Sequence, residues 1–485
     1  MYEDWTLITG GTVIDATGAD PRPNTDVVLH GNTIIAVGED TTGIQMPPKE
    51  KMRRIDATGR TVMPGLIDVH CHMTYGEARY EEEIDLYTSA EMRTLIAAAN
   101  ARKVLRAGIT SISQPGGSYY IGVGIREGIN AGLVQGPRMS AAGRYLTTSN
   151  GLTDWYPDSV GVPDGNIGTL TNTVDQMKVE IRHQVKNGVD LIKLADSPYG
   201  DFQAFTNDEM KAVADLVHQL GKKVTIHARG PGEVRAAADA GFDWIMHGNV
   251  MTDEGIEKML ENDVTLVPTL LLLANLADWP ELTGAPYGQY HGCRRMLEKS
   301  VDSLHRAHEA GVTFAMGTDS GFAITPYGEW HARELELLQV YAGLSNMEAI
   351  VAATANGAKM LNLEGTLGKL LPGYLADVIV VKGNPAENLH VLVDKRNVEI
   401  VIKDGVVQTF PDDLDMVRYH NDRDPLIYSQ TELTYDMVTG DNPEKPYSVL
   451  PWSMADGVEI AHEIDRGQKA LATEDLVPED GAVHD

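Results

Sequence analysis

Several residues that could carry out chemistry stand at the ends of short apolar runs. The clearest run is MPGLIDVHCHM, residues 63–73, which ends on His70 and His72. In an extended strand, side chains two positions apart project from the same face, so Cys71 points to the opposite side. The two imidazoles are therefore expected to converge on one place.

Four further runs carry a polar side chain at or near their ends: Lys193 in VDLIKLA, His227 in KVTIHA, His247 in FDWIMHG and Asp319 in VTFAMGTD. Imidazole nitrogens and carboxylates are ligands that Zn, Co, Mn and Ni accept in proteins. A single histidine after an apolar run is more often structural, but a set on successive runs is hard to explain in that way. We expect one or two divalent metal ions, and the candidate ligands are His70, His72, His227, His247 and Asp319.

Lys193 lies inside an apolar run, where a charged ammonium would be costly to bury. One interpretation is an ion pair with a carboxylate such as Asp196. The other is that the amine has reacted with carbon dioxide to give a carbamate, an anion whose two oxygens can bridge two metal ions. The residues alone leave both interpretations open.

The runs that carry these residues belong to a longer alternation of strands and helices. The candidate strands are GLIDVH, GITSISQ, RMSAAGR, VDLIKLA, KVTIHA, FDWIMHG, VTLVPTL and VTFAMGTD. Between them lie amphipathic segments such as NDEMKAVADLVHQLG and GEVRAAADAG, each ending on glycine. This α/β pattern predicts a (β/α)8 TIM-like barrel over residues 64–363, with its site at the carboxyl ends of the strands.

The segments flanking this region have a different residue pattern. Residues 1–63 and 364–410 contain short β-branched runs separated by Gly, Asn and Asp, and we expect them to form a composite β-sandwich domain. Residues 411–485 form an acidic C-terminal extension. We expect the first half of this extension to pack on the body or on a neighbouring subunit.

Composition limits the class of partner. The 485-residue chain has a formal net charge of -30, which argues against nucleic acid or an anionic membrane and favours a small-molecule substrate. Two cysteines cannot form a disulfide framework, and the start MYEDWTLITGG has no signal-like segment. We therefore expect a cytoplasmic protein with no membrane partner, and a homo-oligomer.

The ordered motifs PGLIDVHCH, IKLADS, TIHARGP, WIMHGN and MGTDSG resemble the amidohydrolase superfamily over roughly residues 5–410. They are most similar to its imidazolonepropionase-like and prolidase-like branch, which includes the ochratoxin, molinate and phenylurea hydrolases. The resemblance implies that carbamylated Lys193 bridges two metal ions. In that arrangement one ion is held by His70, His72 and Asp319, and the other by His227 and His247.

The reaction implied is hydrolysis of a carbonyl C–N bond, other than a peptide bond, by metal-activated hydroxide. Asp319 is expected to accept the proton of the water and pass it to the leaving nitrogen, and His247 is the second candidate catalytic residue. Zinc, cobalt and manganese all suit these ligands.

Two departures from the peptidase members bear on the substrate. Leu152 stands where dipeptide-cleaving relatives carry a histidine, and Arg229 stands where many relatives have a histidine or an aromatic residue. The candidate substrate contacts are Tyr145, Asn150, Leu152, Trp155 and Arg229. Loop aromatic residues favour a neutral amide, carbamate, thiocarbamate or urea with an aryl or alkyl group, as in a xenobiotic.

Other functions stay open at this stage. A prolidase-like dipeptidase or a cyclic-amide hydrolase is the main alternative. A deaminase is disfavoured because the chain has Lys193 and lacks a suitable glutamate beside His227. A non-catalytic scaffold is disfavoured because every candidate ligand position is kept.

Overall fold

The computed structural model describes residues 4–38, 47–284, 287–412, 414 and 432–440. The architecture lies in one compact unit, residues 1–438; of a second unit, residues 439–485, only 439 and 440 are described. The strands are β1 Trp5–Val13, β2 Arg22–His30, β3 Thr33–Val37, β4 Arg53–Asp56, β5 Arg60–Pro64, β6 Leu66–Asp68, β7 Ile109–Gln114, β8 Arg138–Ala141, β9 Tyr145–Thr147, β10 Gly168–Leu170, β11 Leu191–Ala195, β12 Lys223–Ala228, β13 Trp244–His247, β14 Thr265–Val267, β15 Val378–Lys382, β16 Val398–Lys403 and β17 Val406–Val407.

The helices alternate with the middle strands, as the sequence predicts. They are α1 Ala90–Arg106, α2 Ile121–Asn130, α3 Val174–Lys186, α4 Asn207–Gln219, α5 Pro231–Ala240, α6 Asp253–Glu261, α7 Leu271–Asp278, α8 Pro280–Thr283, α9 Tyr287–Ala310, α10 Arg333–Ala342, α11 Asn346–Ala352 and α12 Tyr435–Thr439. The predicted glycine stop is seen at α5, where Gly241 has a φ of 82°. Within the described residues, no helix has the length and hydropathy needed to cross a bilayer.

The middle strands form two parallel sheets, one in the order β6-β7-β8 and the other in the order β10-β9-β11-β12-β13-β14. Seven of the eight candidate strands are therefore confirmed as strands. The eighth, VTFAMGTD, has isolated bridges only, yet Ala315 donates to Leu266 O at 2.9 Å and Val69 donates to Met316 O at 2.9 Å. The α/β class is confirmed, while closure into one barrel stays a prediction.

Strands from both flanking segments share a single mixed sheet, ordered β17-β16-β15-β5-β1-β2-β3, with β4 paired to β1. The joint between the two segments is the antiparallel pair β5–β15, in which Met63 lies opposite Ile379. One core cluster combines Ile8 and Val62 with Val378 and Val380. The two-sheet sandwich and the predicted domain boundaries stay predictions.

A short piece of the acidic extension packs on the body. The Leu433 N–H donates to Ala323 O at 2.7 Å, and the Trp330 indole donates to Leu433 O at 2.6 Å. Leu433 itself is buried. The remaining parts of the extension, residues 413, 415–431 and 441–485, lie outside the described residues.

Candidate metal centre

Six candidate ligands stand where the middle strands end. Lys193 lies in β11, His227 in β12 and His247 at the end of β13, while His70, His72 and Asp319 lie just beyond their strands or strand-like segments. All six side chains are buried. Their convergence follows from parallel strands, whose carboxyl ends meet at one edge.

His70 and His72 lie beyond β6, not inside one continuous strand as the alternation predicts. Backbone bonds from Asp319 N to His70 O (2.7 Å) and from His72 N to Ser320 O (2.9 Å) hold this segment beside the strand-eight segment. The two rings still come together, with centroids 5.0 Å apart. The predicted convergence is therefore observed, although the local structure differs.

Hydrogen bonds select one tautomer for each of these two rings. The Thr269 hydroxyl donates to Val267 O at 3.1 Å, so it must accept from His70 Nδ1, 2.9 Å away. His72 Nδ1 lies 2.8 Å from the Gly116 carbonyl oxygen, which can only accept. Both rings therefore carry their proton on Nδ1 and present the lone pair of Nε2 to the site.

His227 and His247 present unsatisfied nitrogens to the same place. Their ring centroids are 4.3 Å apart, and His227 Nε2 and His247 Nδ1 are buried without a hydrogen-bond partner among the described residues. Burial lowers the pKa of both imidazoles well below the usual range, as it does for His70. The neutral form that results is the one that binds metal ions.

Asp319 faces the first histidine pair. Its Oδ1 lies 3.2 Å from His72 Nε2 and 3.5 Å from His70 Nε2. Burial alone would raise the pKa of this carboxyl, but His70, His72 and Lys193 together hold it below its usual range. Asp319 also has a left-handed backbone, with φ of 57°, as does His247 with φ of 76°. A left-handed backbone is strained in residues other than glycine, and strain of this kind is common in functional sites.

Lys193 does not form the ion pair with Asp196 that was one interpretation of the sequence. Its Nζ lies 2.9 Å from Met246 Sδ and 5.0 Å from the centre of the Tyr145 ring. The Asp196 carboxylate instead accepts backbone N–H groups, including that of Ala204 at 2.6 Å. Burial lowers the pKa of Lys193 to about 7, so a large fraction of the amine is unprotonated and nucleophilic at neutral pH.

These groups fit a divalent cation. One ligand atom each from His70, His247 and Asp319 lie within 4.8 Å of one another. The lone pair of His72 Nε2 faces the Asp319 carboxylate without an intervening proton, an arrangement that a cation between them relieves. A mixed imidazole and carboxylate donor set of this kind suits borderline metals.

An apolar cluster borders this centre on one side. It consists of Tyr75, Ala78, Ile84, Tyr145, Ile167 and Ala195, with Leu152 and Phe322 packed against them. Leu152 is held by its N–H, which donates to Asp196 O at 2.7 Å. The rings of Tyr75 and Phe322 are 4.9 Å apart. Two of the predicted substrate contacts, Tyr145 and Leu152, therefore lie beside the candidate ligands.

Arg229 is a buried cation that directly follows β12, the strand that carries His227. Its side chain is 7% exposed, and Nη1 donates to Asn249 Oδ1 at 2.7 Å. Asn249 is in turn oriented by Ser300, whose Oγ accepts from its amide at 2.9 Å. Among the described residues, no carboxylate forms an ion pair with this guanidinium. Burial lowers the pKa of Arg229, and the charge of Asp319 opposes this effect.

The two remaining candidate contacts lie further out. Asn150 is exposed, and its N–H donates to Asp154 Oδ2 at 2.9 Å inside the same loop. The Trp155 indole donates to Asp85 Oδ2 at 3.2 Å. This pairing ties the loop after β9 to the helical turn Glu83–Tyr87.

Thr269, Asn249 and Tyr75 were missed by the sequence analysis. Thr269 lies near the end of the seventh candidate strand, VTLVPTL, and two residues beyond β14, so its strand-end position was a usable signal. Asn249 and Tyr75 follow His247 and His72 by two and three positions, but nothing local indicates what they contact.

Comparison with known proteins gives consistent matches. A profile of the amidohydrolase family matches residues 61–407. Ochratoxinase of Aspergillus niger is 28% identical over 433 residues, covering 82% of this chain and 86% of the relative. Imidazolonepropionase of Symbiobacterium thermophilum is 26% identical over 413 residues, covering 78% and 91%. A crystal structure of a Xaa-Pro dipeptidase with bound methionine is 30% identical, with a TM-score of 0.73, covering 83% of this chain and 99% of its own.

Proposed function

Because this chain belongs to the amidohydrolase family, as its motifs predicted, we propose that it is a metal-dependent hydrolase of carbonyl C–N bonds. The family and the ochratoxinase relative support a hydrolase acting on amide-type bonds. The observation that carries the metal dependence is a set of four buried imidazoles beside one carboxylate: His70 and His72 place Nε2 within 3.5 Å of Asp319, and His227 and His247 each keep a buried nitrogen without a partner among the described residues.

The residues that would hold metal are His70, His72 and Asp319 for one ion and His227 and His247 for a second, with Lys193, as its carbamate, between them. A divalent ion bound there supplies Lewis acidity, which lowers the pKa of water and polarises a substrate carbonyl. The lowered pKa of Lys193 and the absence of an Asp196 pair support the carbamate.

Asp319 carries the proton transfers. Its carboxylate lies against His72 and is buried, so it accepts a proton from the attacking water and returns it to the leaving nitrogen. His247, whose Nδ1 has no hydrogen-bond partner among the described residues, would contribute by holding the second ion in position. The strained backbone of both residues fixes the direction of their side chains.

The substrate that we favour is a neutral amide, carbamate, thiocarbamate or urea, cleaved at a bond other than a peptide bond. The apolar cluster beside His72 supports an aryl or alkyl group on the substrate, because apolar and aromatic side chains gain most from covering such a group.

A second candidate is a prolidase-like dipeptidase whose substrate has a free carboxylate. The observation that favours it is Arg229, a buried guanidinium that Asn249 orients and that pairs with no carboxylate among the described residues. A substrate carboxylate would satisfy its remaining donors.

A matched pair of substrates separates the two candidates. N-benzoyl phenethylamine and N-benzoyl phenylalanine differ only in a carboxylate, and kcat/KM is measured on both with the wild type, Arg229→Met and the control Arg235→Met, at a partly exposed arginine. A preference for the neutral amide that survives Arg229→Met supports the first candidate. A preference for the acid that Arg229→Met abolishes, by about tenfold or more, supports the second. The proposed function would be contradicted if the metal-loaded protein hydrolysed neither of these two substrates, nor a phenylurea, nor a thiocarbamate.

We further propose that the two parallel sheets and residues 313–320 make up one (β/α)8 barrel. The bonds of this segment to Leu266 on one side and Val69 on the other support that closure. The β-sandwich proposal rests on the joint sheet of the two flanking segments.

A further inference from the structure

The hydroxyl of Tyr145 lies beside His72, one of the candidate ligands. Tyr145 begins β9 and is 2% exposed, and its Oη is 3.2 Å from His72 Nε2 and 3.1 Å from His72 Nδ1. The hydroxyl is therefore within hydrogen-bond distance of both nitrogens of the His72 ring. The Lys193 amine lies 5.0 Å from the centre of the Tyr145 ring.

A second tyrosine orients this hydroxyl. Tyr75 Oη lies 2.7 Å from Tyr145 Oη, and the Tyr75 ring stacks on His72 with centroids 4.3 Å apart. The stacking and the surrounding apolar cluster hold Tyr75 in place. The two tyrosines therefore lie where the apolar cluster contacts the candidate ligand His72.

The protons of the pair can be counted. Within the described residues, Tyr75 Oη has Tyr145 Oη as its hydrogen-bond partner, so donation by Tyr75 satisfies the proton of Tyr75 and leaves that of Tyr145 to be placed. His72 Nδ1 is already a donor to Gly116 O, and the lone pair of Nε2 faces Asp319. When Tyr75 is the donor, the side-chain acceptor that the described residues offer the Tyr145 proton is His72 Nε2, 3.2 Å away, and a metal ion that takes this lone pair leaves the proton without a protein acceptor. A buried donor of this kind calls for an acceptor on a ligand.

We propose that Tyr145 is a catalytic residue that donates a hydrogen bond to the carbonyl oxygen of the substrate, and that Tyr75 strengthens this bond by donating to Tyr145. This inference rests on the proposed function and adds a residue to it. No covalent bond to tyrosine forms or breaks; the phenol keeps its proton throughout.

The effect is expected on the rate more than on substrate binding. Negative charge builds on the carbonyl oxygen as water adds to the carbonyl carbon, so a donor fixed beforehand interacts more strongly as the reaction proceeds. A donor chain of two hydroxyls in a buried site is stronger than a single one, because each bond polarises the next.

Kinetics of Tyr145→Phe, with Tyr341→Phe as the matched control, test this role. Tyr341 is also a fully buried tyrosine, on α10, and its hydroxyl has no hydrogen-bond partner in the described part of the chain. Tyr145→Phe should lower kcat by about a hundredfold with little change in KM and with metal content and Tm retained. Tyr75→Phe should lower kcat less, and the control should match the wild type. A Tyr145→Phe enzyme with kcat within about twofold of the wild type would overturn the inference.

Binding of a small tetrahedral anion gives a second readout that needs no turnover. Methylphosphonate imitates the charge of the reacting centre, and acetate is its planar control. Methylphosphonate should bind Tyr145→Phe about tenfold more weakly than the wild type, whereas the affinity for acetate should hardly change. Equal methylphosphonate affinity for both proteins would contradict the donor role. If the wild type hydrolyses no amide-type substrate, the proposed function fails, and this binding measurement still decides the role of Tyr145.

Discussion

At the scale of single residues, the site depends on which ring nitrogen carries the proton. His70 presents Nε2 because Thr269, itself committed to Val267 O, can only accept from Nδ1. Groups that orient a ligand in this way commonly change metal affinity about 10- to 100-fold when they are removed. Thr269 also has a left-handed backbone, with φ of 53°, so its position is itself constrained.

Thr269→Val should weaken metal binding by about 10- to 100-fold while leaving the fold intact, because valine keeps the shape and removes the acceptor. The measurement is competition with a chelator of known affinity. The control is Thr225→Val, which removes a buried hydroxyl that donates to Trp244 O at 2.9 Å. Metal affinity equal to that of the control would show that Thr269 does not orient His70.

Lys193→Ala should lower metal content and activity together, because it removes the carbamate that we propose as the shared ligand. Short carboxylic acids such as propionate should restore part of both, since a carboxylate can replace the carbamate oxygens. Metal analysis with and without propionate is the measurement. Full activity in the unrescued variant would exclude a bridging role for Lys193.

At the scale of elements, two loops around the site are joined through one carboxylate. Asp85 Oδ2 accepts from the Trp155 indole, the Tyr156 hydroxyl at 3.0 Å and the Asn166 amide at 2.9 Å. Burial raises the pKa of Asp85 from 3.8 to about 6, despite these donors. The joint is therefore sensitive to pH.

Asp85→Asn should keep the three contacts and abolish the titration. The folded protein releases the Asp85 proton near pH 6 and the unfolded chain near pH 3.8, so the folded state holds more protons between these values. Wild-type stability should therefore fall relative to the variant as the pH rises through this window, by at most about 3 kcal/mol. Urea unfolding of both proteins across the window measures the difference, and parallel stability profiles would refute the coupling.

The piece of extension around Leu433 should stabilise the loop that follows Asp319. Leu433→Ala removes a side chain that is 1% exposed, and should lower the free energy of unfolding by about 2–4 kcal/mol. Met437→Ala, at a position that is 38% exposed on the same segment, is the control and should change it by no more than about 0.5 kcal/mol. Equal stabilities of the two variants would show that the contact with the body contributes nothing.

At the scale of the whole molecule, local patterns predicted the alternating elements and the strand-end positions of the candidate ligands, because strand and helix periods are encoded in neighbouring residues. The irregular structure of the eighth candidate strand, residues 312–319, was not predicted. Its backbone hydrogen bonds alternate between two neighbouring segments, and Asp319 at its end has a left-handed backbone. The partners that orient the site were missed because they are distant in the chain: Thr269 is 199 residues from His70, and Tyr145 is 70 residues from Tyr75.

The joint sheet illustrates the same limit. The residue pattern alone indicated that the two flanking segments belong together. The register of β5 with β15, however, depends on residues more than three hundred positions apart, such as Met63 and Ile379. Pairing over such a distance is selected by burial of both strands, which no local window contains.

The central claim is that hydrolysis depends on metal ions held at this centre. The most direct measurement is hydrolysis of N-benzoyl phenethylamine and N-benzoyl phenylalanine by chelated protein as zinc, cobalt or manganese is added in steps. Chelated protein should have no activity, and activity should rise with added metal until about two ions per chain are bound. Activity that persists after complete chelation, or that does not respond to any added metal, would contradict it.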